Sequence, residues 1–132
     1  MNARLVSIAA FAVITSLSSF AMAQEQSRFY CDRTALTSEQ RVQMRGFGHT
    51  LHEAVQGSRE LANGYEFEFK RDPSAYQALV QYIPLEHACC PFFEFNVRVA
   101  PNGGALYWSL TGATGIKEFI REELSWLFER EQ

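Results

Sequence analysis

Apolar positions along this chain fall into two rhythms. Met44, Phe47, Leu51, Ala54 and Val55 recur at helical spacing and predict an amphipathic helix over about 38–61. It opens on Thr37-Ser38-Glu39-Gln40, a capping box in which the Thr37 hydroxyl and the Gln40 side chain satisfy each other's backbone N–H groups. Gly46 and Gly48 weaken this helix by about 1 kcal/mol each relative to Ala. After Asn63-Gly64 the period drops to two. Tyr65, Phe67 and Phe69 alternate with Glu66, Glu68 and Lys70, the signature of a strand with one wet face.

A second helix is predicted from Asp72, a good N-cap, with Pro73 at its first turn. Tyr76, Leu79, Val80 and Ile83 are its expected inner stripe. Pro84 lacks the N–H that the helical ladder needs, so a kink or restart is expected there, and Pro91 is expected to stop the helix. A hairpin follows. Phe93, Phe95, Val97 and Val99 alternate with polar residues, Pro101-Asn102-Gly103-Gly104 is a turn, and Leu106, Trp108 and Leu110 form the return strand. Ile116, Phe119, Ile120, Leu124, Leu127 and Phe128 make the inner face of a last helix. Residues 28–31 read as a short edge strand.

The resulting order is (β)-α-β-α-β-β-α. Strands with one wet face favour an α+β fold, a small antiparallel or mixed sheet packed on about three helices. Parallel strands buried on both faces are missing, and so is any G-x-G-x-x-G; both argue against a dinucleotide-binding domain.

The first residues change the picture of what the domain is. Residues 1–23 combine Arg4, an apolar run from Leu5 to Phe20 and the small-x-small triplet Ala21-Met22-Ala23. This reads as a signal peptide cleaved before Gln24, leaving residues 24–132 as one α+β domain in the periplasm or outside the cell. The serines and threonine in the apolar run make it a poor permanent span, so no stable membrane association is expected after cleavage. The chain carries a net charge of −3 with no basic stripe, which speaks against a nucleic-acid partner. No nucleophile elbow or phosphate-binding loop is present, and no pair of carboxylates stands out as catalytic.

Candidate chemistry concentrates in Leu85–Phe95, which reads LEHACCPFFEF. Residues three and four apart are neighbours on a helix, so a helix running past Pro84 sets Glu86 beside both Cys89 and Cys90. These cysteines sit at a helix C-terminus, where the dipole is negative, and Glu86 adds a negative charge. Both effects raise a thiol pKa and oppose a thioredoxin-like nucleophile. A soft cation reverses the balance by pairing with thiolates and carboxylate together. Cys31 is the third sulfur. If it converges on the pair, Cys31, Cys89, Cys90 and Glu86 form a soft-metal or metalloid site, mercury-, zinc- or copper-like, with Glu86 or His87 as a fourth ligand for tetrahedral zinc.

Two other readings stand beside this one. An exported protein commonly oxidises its cysteines. A bond from Cys31 to either Cys89 or Cys90 closes a loop of nearly sixty residues, worth roughly 4 kcal/mol by chain entropy, and leaves one cysteine over. Such a bond is either a structural staple or the working element of a thiol–disulfide redox protein. A vicinal Cys89–Cys90 bond is a strained alternative. His49, His52 and Glu53 lie on adjoining turns of the first helix and read as a solvated face. Phe92, Phe93 and Phe95 read as core.

Four segments in this order, Cys31–Arg41, Glu60–Phe67, Glu86–Phe95 and Leu110–Phe119, carry a resemblance. The chain resembles small uncharacterised bacterial proteins with an E-x-x-C-C-P-F-x-x-F core, a group associated with heavy-metal, chiefly mercury, resistance settings. That resemblance implies Cys31, Glu86, Cys89 and Cys90 as the positions of interest and implies no reaction. This chain departs from the group in its export signal. The sequence therefore leads to an exported metal-binding thiol protein, with no catalytic residue assigned.

Overall fold

The computed structural model describes residues 29–129, so the signal segment and its cleavage point lie outside the described residues. The described residues fold as three helices on one four-stranded antiparallel sheet, an α+β architecture as expected. Helix α1 spans Ser38–Ala54, strands β1 and β2 span Val55–Leu61 and Gly64–Phe69, and helix α2 spans Pro73–Cys89. Strands β3 and β4 span Glu94–Val99 and Leu106–Thr111, and helix α3 spans Ile116–Glu123. Short 3-10 turns at Arg33–Ala35 and Ser125–Leu127 flank this set. In space the strands run β1-β2-β4-β3.

Local chemistry explains most of the boundaries. The capping box forms as read: Gln40 N–H donates to Thr37 Oγ1 at 3.1 Å, and Thr37 N–H donates to Gln40 Oε1 at 2.9 Å. Asp72 caps α2 by accepting from Ser74 N–H at 2.8 Å. Asn102 and Gly103 take φ values of 55° and 81°, the left-handed pair that a tight hairpin turn requires.

Two local expectations are corrected. The first helix stops at Ala54 instead of running to about 61, and Val55–Leu61 pairs with β2 as an edge strand. This segment, VQGSREL, buries only Val55 fully, so it has no alternating apolar pattern to read. The strand expected at 28–31 is not seen in Phe29, Tyr30 or Cys31, which run without regular structure. The segment pairs with the end of α2 rather than with a sheet edge, Asp32 N–H donating to the Cys89 carbonyl.

The two faces of the sheet differ as the alternation demands. Tyr65, Phe67 and Phe69 on β2 stand opposite Leu110, Trp108 and Leu106 on β4, and all six are buried. Phe128 closes over this face, its ring 5.1 Å from both Tyr65 and Phe67. The other face is polar. There Glu66 accepts from Arg59 at 2.9 Å and from Ser109 at 3.2 Å. On β3, Val97 and Val99 keep the inward register yet remain 40% and 49% exposed, because β3 is the outermost strand.

Helix α2 carries a third difference. Its buried stripe is Ala75, Ala78, Leu79, Tyr82, Glu86 and Cys89, while Tyr76 and Val80 face solvent. The expected stripe was rotated toward the larger side chains. The helix runs unbroken through Pro84, which is exposed, and ends at Cys89 with Cys90 as its cap. Continuity past Pro84 keeps Tyr82, Glu86 and Cys89 on one face at spacings of four and three.

Gly64 and Gly46 give opposite expectations. A Cβ on Gly64 would collide with the Leu110 carbonyl, where β2 and β4 approach closely, whereas one on Gly46 meets nothing within 4 Å. Urea unfolding should show Gly64→Ala losing more than about 2 kcal/mol. Gly46→Ala should gain about 0.5–1 kcal/mol from helix propensity.

Candidate functional site: a disulfide, a third thiol and a buried glutamate

Three tethers bring the early segment to the end of α2. Cys31 and Cys90 form a disulfide with Cα atoms 4.7 Å apart. Asp32 N–H donates to the Cys89 carbonyl at 2.8 Å, satisfying one of the orphan acceptors at the helix C-terminus. Phe29 packs on Phe92 and Phe119 with ring centroids 5.0 and 5.9 Å away. Phe92 and Phe93 also contact each other and Phe119, so the phenylalanines after Pro91 are core, as read.

Of the four residues singled out, Cys31, Glu86 and Cys90 place their donor atoms within 4.8 Å of one another. Cys89 is the free thiol and is buried, with its sulfur 3.9 Å from that of Cys90. Its S–H lies 3.3 and 3.5 Å from the carbonyls of Leu85 and Glu86. Cys89 borders the cluster without joining the mutual three-donor group. His87 does not reach the site: it is exposed and packs edge-on against Phe95 at 5.9 Å.

Electrostatics follow from burial. Glu86 is 3% exposed, and loss of solvent lifts its carboxyl to about 7. A hydrogen bond with the Tyr82 hydroxyl and the Arg33 guanidinium oppose that rise. The Cys89 thiol is lifted to about 11, first by burial and then by the neighbouring Glu86 charge. The Tyr82 phenol is lifted too, for the same two reasons. Desolvation outweighs the causes expected from sequence, the helix pole and the Glu86 charge. At neutral pH Cys89 is a protonated thiol and a weak nucleophile.

The cluster forms one wall of a cleft of about 600 Å³. Tyr82, Glu86 and Cys89 line it from α2, Cys31 and Arg33 from the early segment, and Arg41, Arg45, His49 and His52 from α1. His52 is fixed by the Trp126 carbonyl, 2.8 Å from Nδ1, and His49 lies 3.5 Å from Glu53. Tyr82 and the three arginines were not picked out from the sequence. Tyr82 was legible as the helical neighbour four residues before Glu86. The arginines were not, because their convergence depends on how α1 packs on α2. In comparisons with known proteins, no family model, curated protein or solved structure matches the chain.

Two outcomes test this geometry. Reducing the Cys31–Cys90 bond should cost about 4 kcal/mol in urea unfolding, since it frees a loop spanning a sequence separation of 59. The second concerns Glu86, whose carboxyl titrates near 7 in the fold and near its ordinary 4.5 when unfolded. Between those values the native state holds the extra proton, so stability is full below the lower value. It declines by up to ~3 kcal/mol as pH rises through the upper one. Glu86→Gln should flatten that decline, so the two stability curves separate between pH 4.5 and 8.

Proposed function

We propose that this protein is an exported, soft-metal-binding or metalloid-binding thiol protein whose site is closed by the Cys31–Cys90 bond and opened by its reduction. The observation that carries this reading is the three-donor group of Cys31, Glu86 and Cys90, with atoms within 4.8 Å of one another and a further sulfur at Cys89. A disulfide reductant turns the bond into two thiols: a dithiol supplies two electrons and two protons and becomes its own disulfide, whereas a phosphine supplies the two electrons and becomes its oxide, the protons and oxygen coming from water. A divalent ion then displaces those protons and takes both sulfurs as thiolates.

The elevated thiol pKa favours an ion over nucleophilic chemistry. It suppresses the free thiolate, yet a soft cation binds sulfur strongly enough to release the proton. Glu86 adds a carboxylate donor or receives a thiol proton from beside the site. Burial of the pair is unfavourable for charge without a counter-ion and favourable with one. A bound ion mercury-, zinc- or copper-like in softness fits two or three sulfurs with one oxygen. The resemblance to proteins of mercury-resistance settings points the same way.

Among the described residues no helix is long and apolar enough to cross a membrane. An intramolecular disulfide fits an oxidising compartment. Together with residues 1–23, these features support a periplasmic or secreted location, without nucleic acid as a partner. A second reading, thiol–disulfide exchange with no ion, is favoured by the bond itself, since two of the three donors already form one.

Phosphine-reduced protein should bind Hg(II) stoichiometrically, with a sulfur-to-mercury charge-transfer band in the near ultraviolet, and the oxidised protein should not. Cys31→Ser or Cys90→Ser should weaken Hg(II) binding and shift the band, because a sulfur of the donor set is lost, and Glu86→Gln should weaken zinc binding by about 10–100-fold. A reduced, folded protein that takes up neither ion sinks the metal reading. If that protein also shuttles between dithiol and disulfide at a defined potential, the exchange reading takes its place.

A further inference from the structure

The cleft beside the cluster is positive in a chain whose net charge is −3. Arg33, Arg41 and Arg45 line it, against Glu123 and the buried Glu86. Arg41 is committed to the chain, donating to the Leu36 carbonyl at 2.5 Å and to Ser38 Oγ at 2.9 Å. Arg33 holds Glu123 through one contact of 3.6 Å between exposed groups. Arg45 is exposed and makes no ion pair with a described residue. Two guanidiniums are thus available to an anion that enters the cleft.

The two sulfurs of the disulfide are not equivalent toward that cleft. Cys31 is half-buried and lines it, while Cys90 is 0% exposed and does not. An incoming sulfur meets Cys31, and Cys90 is the group that leaves.

We propose that the cleft admits a small anionic thiol, its carboxylate held by Arg45 and Arg33, and directs its sulfur onto Cys31. This rests on the reading that reduction opens the site, and it names the class of reductant. The thiolate attacks Cys31 Sγ; the new bond joins the small thiol to Cys31, and the Cys31–Cys90 bond breaks. Cys90 leaves as thiolate and takes up the proton that the small thiol gave to solvent. A second molecule of the thiol attacks the mixed disulfide and departs as the small symmetrical disulfide, and Cys31 is left as a thiol. Two small thiols are oxidised and one protein disulfide is reduced. An anionic thiol is also a carrier for soft ions, so the same contacts can deliver the ion that the opened site receives.

The test compares mercaptoacetate, 2-mercaptoethanol and cysteamine, which carry negative, neutral and positive groups beside the thiol. Each is added to the oxidised protein, with rates expressed per thiolate and adducts located by peptide mass mapping. Mercaptoacetate should react about tenfold faster than cysteamine, with the adduct on Cys31. Arg45→Ser and Arg33→Ser should each shrink that ratio, and 0.5 M NaCl should do so in the unmutated chain, where folding is not at issue. Equal rates for the three thiols, or an adduct on Cys90, overturn the proposal. Hg(II) uptake is measured separately on phosphine-reduced protein, which bypasses the cleft. Uptake without thiol preference removes this inference alone. Preference without uptake supports it and removes the metal reading.

Discussion

A loop with no regular structure is held at the end of a helix, and the candidate site exists only because of that attachment. Asp32 N–H on the Cys89 carbonyl fixes the approach, the Cys31–Cys90 bond locks it, and Phe29 anchors the segment among Phe92 and Phe119. The helix C-terminus gains a donor for one of its free carbonyls. The loop gains an apolar anchor. Neither contact involves the sulfurs, so the segment keeps two non-covalent tethers when the bond opens. The proposed alternation between closed and open forms depends on such tethers, which hold the sulfurs near one another without the covalent link.

Glu86 is where stability and chemistry pull against each other. It occupies the buried stripe of α2 between Tyr82 and Cys89, a position that packing alone would give to an apolar residue. Without a cation beside it the carboxyl takes a proton near neutrality, and the Tyr82 hydroxyl is its polar neighbour. Such a group weakens the fold over part of the pH range. Its placement beside the Cys31–Cys90 bond and the Cys89 thiol makes physical sense if a cation arrives once that bond is reduced, because charge that is costly when alone becomes favourable when neutralised. Arg33, which lines the same cleft, already supplies part of that compensation.

Much of this was visible in the order of residues. The capping box at Thr37, the Asp72-Pro73 start, the alternation of Tyr65, Phe67 and Phe69, and the Asn102-Gly103 turn are short-range signals, and the structure obeys them. Strand β1 was hidden because an edge strand with a polar composition has no period to detect, and the helical pattern ran on into it. The stripe of α2 does not follow side-chain size: Tyr76 and Val80 are exposed, while Ala75, Ala78 and Glu86 are buried. At the site, the i, i+3 and i, i+4 neighbours could be deduced from spacing. The partner of Cys31 could not be, since Cys89 and Cys90 are adjacent in sequence and only the direction of the helix end decides between them.

That direction also separates the roles of the two neighbouring cysteines. Cys89 is the last residue of α2, and its side chain stays on the buried stripe with its sulfur toward the carbonyls one turn back. Cys90 is the cap, where the backbone leaves the helix at φ −127° and ψ 67° and the side chain turns toward Cys31. One cysteine is therefore set by the helix and the other by its termination. Pro91 follows at once and prevents the helix from continuing through Cys90. Had the helix run one residue further, Cys90 would point about 100° away from Cys89 around the axis, the angular step of an α-helix. The proline thus does more than end an element: it frees Cys90 to reach Cys31 while Cys89 stays on the buried stripe of the helix.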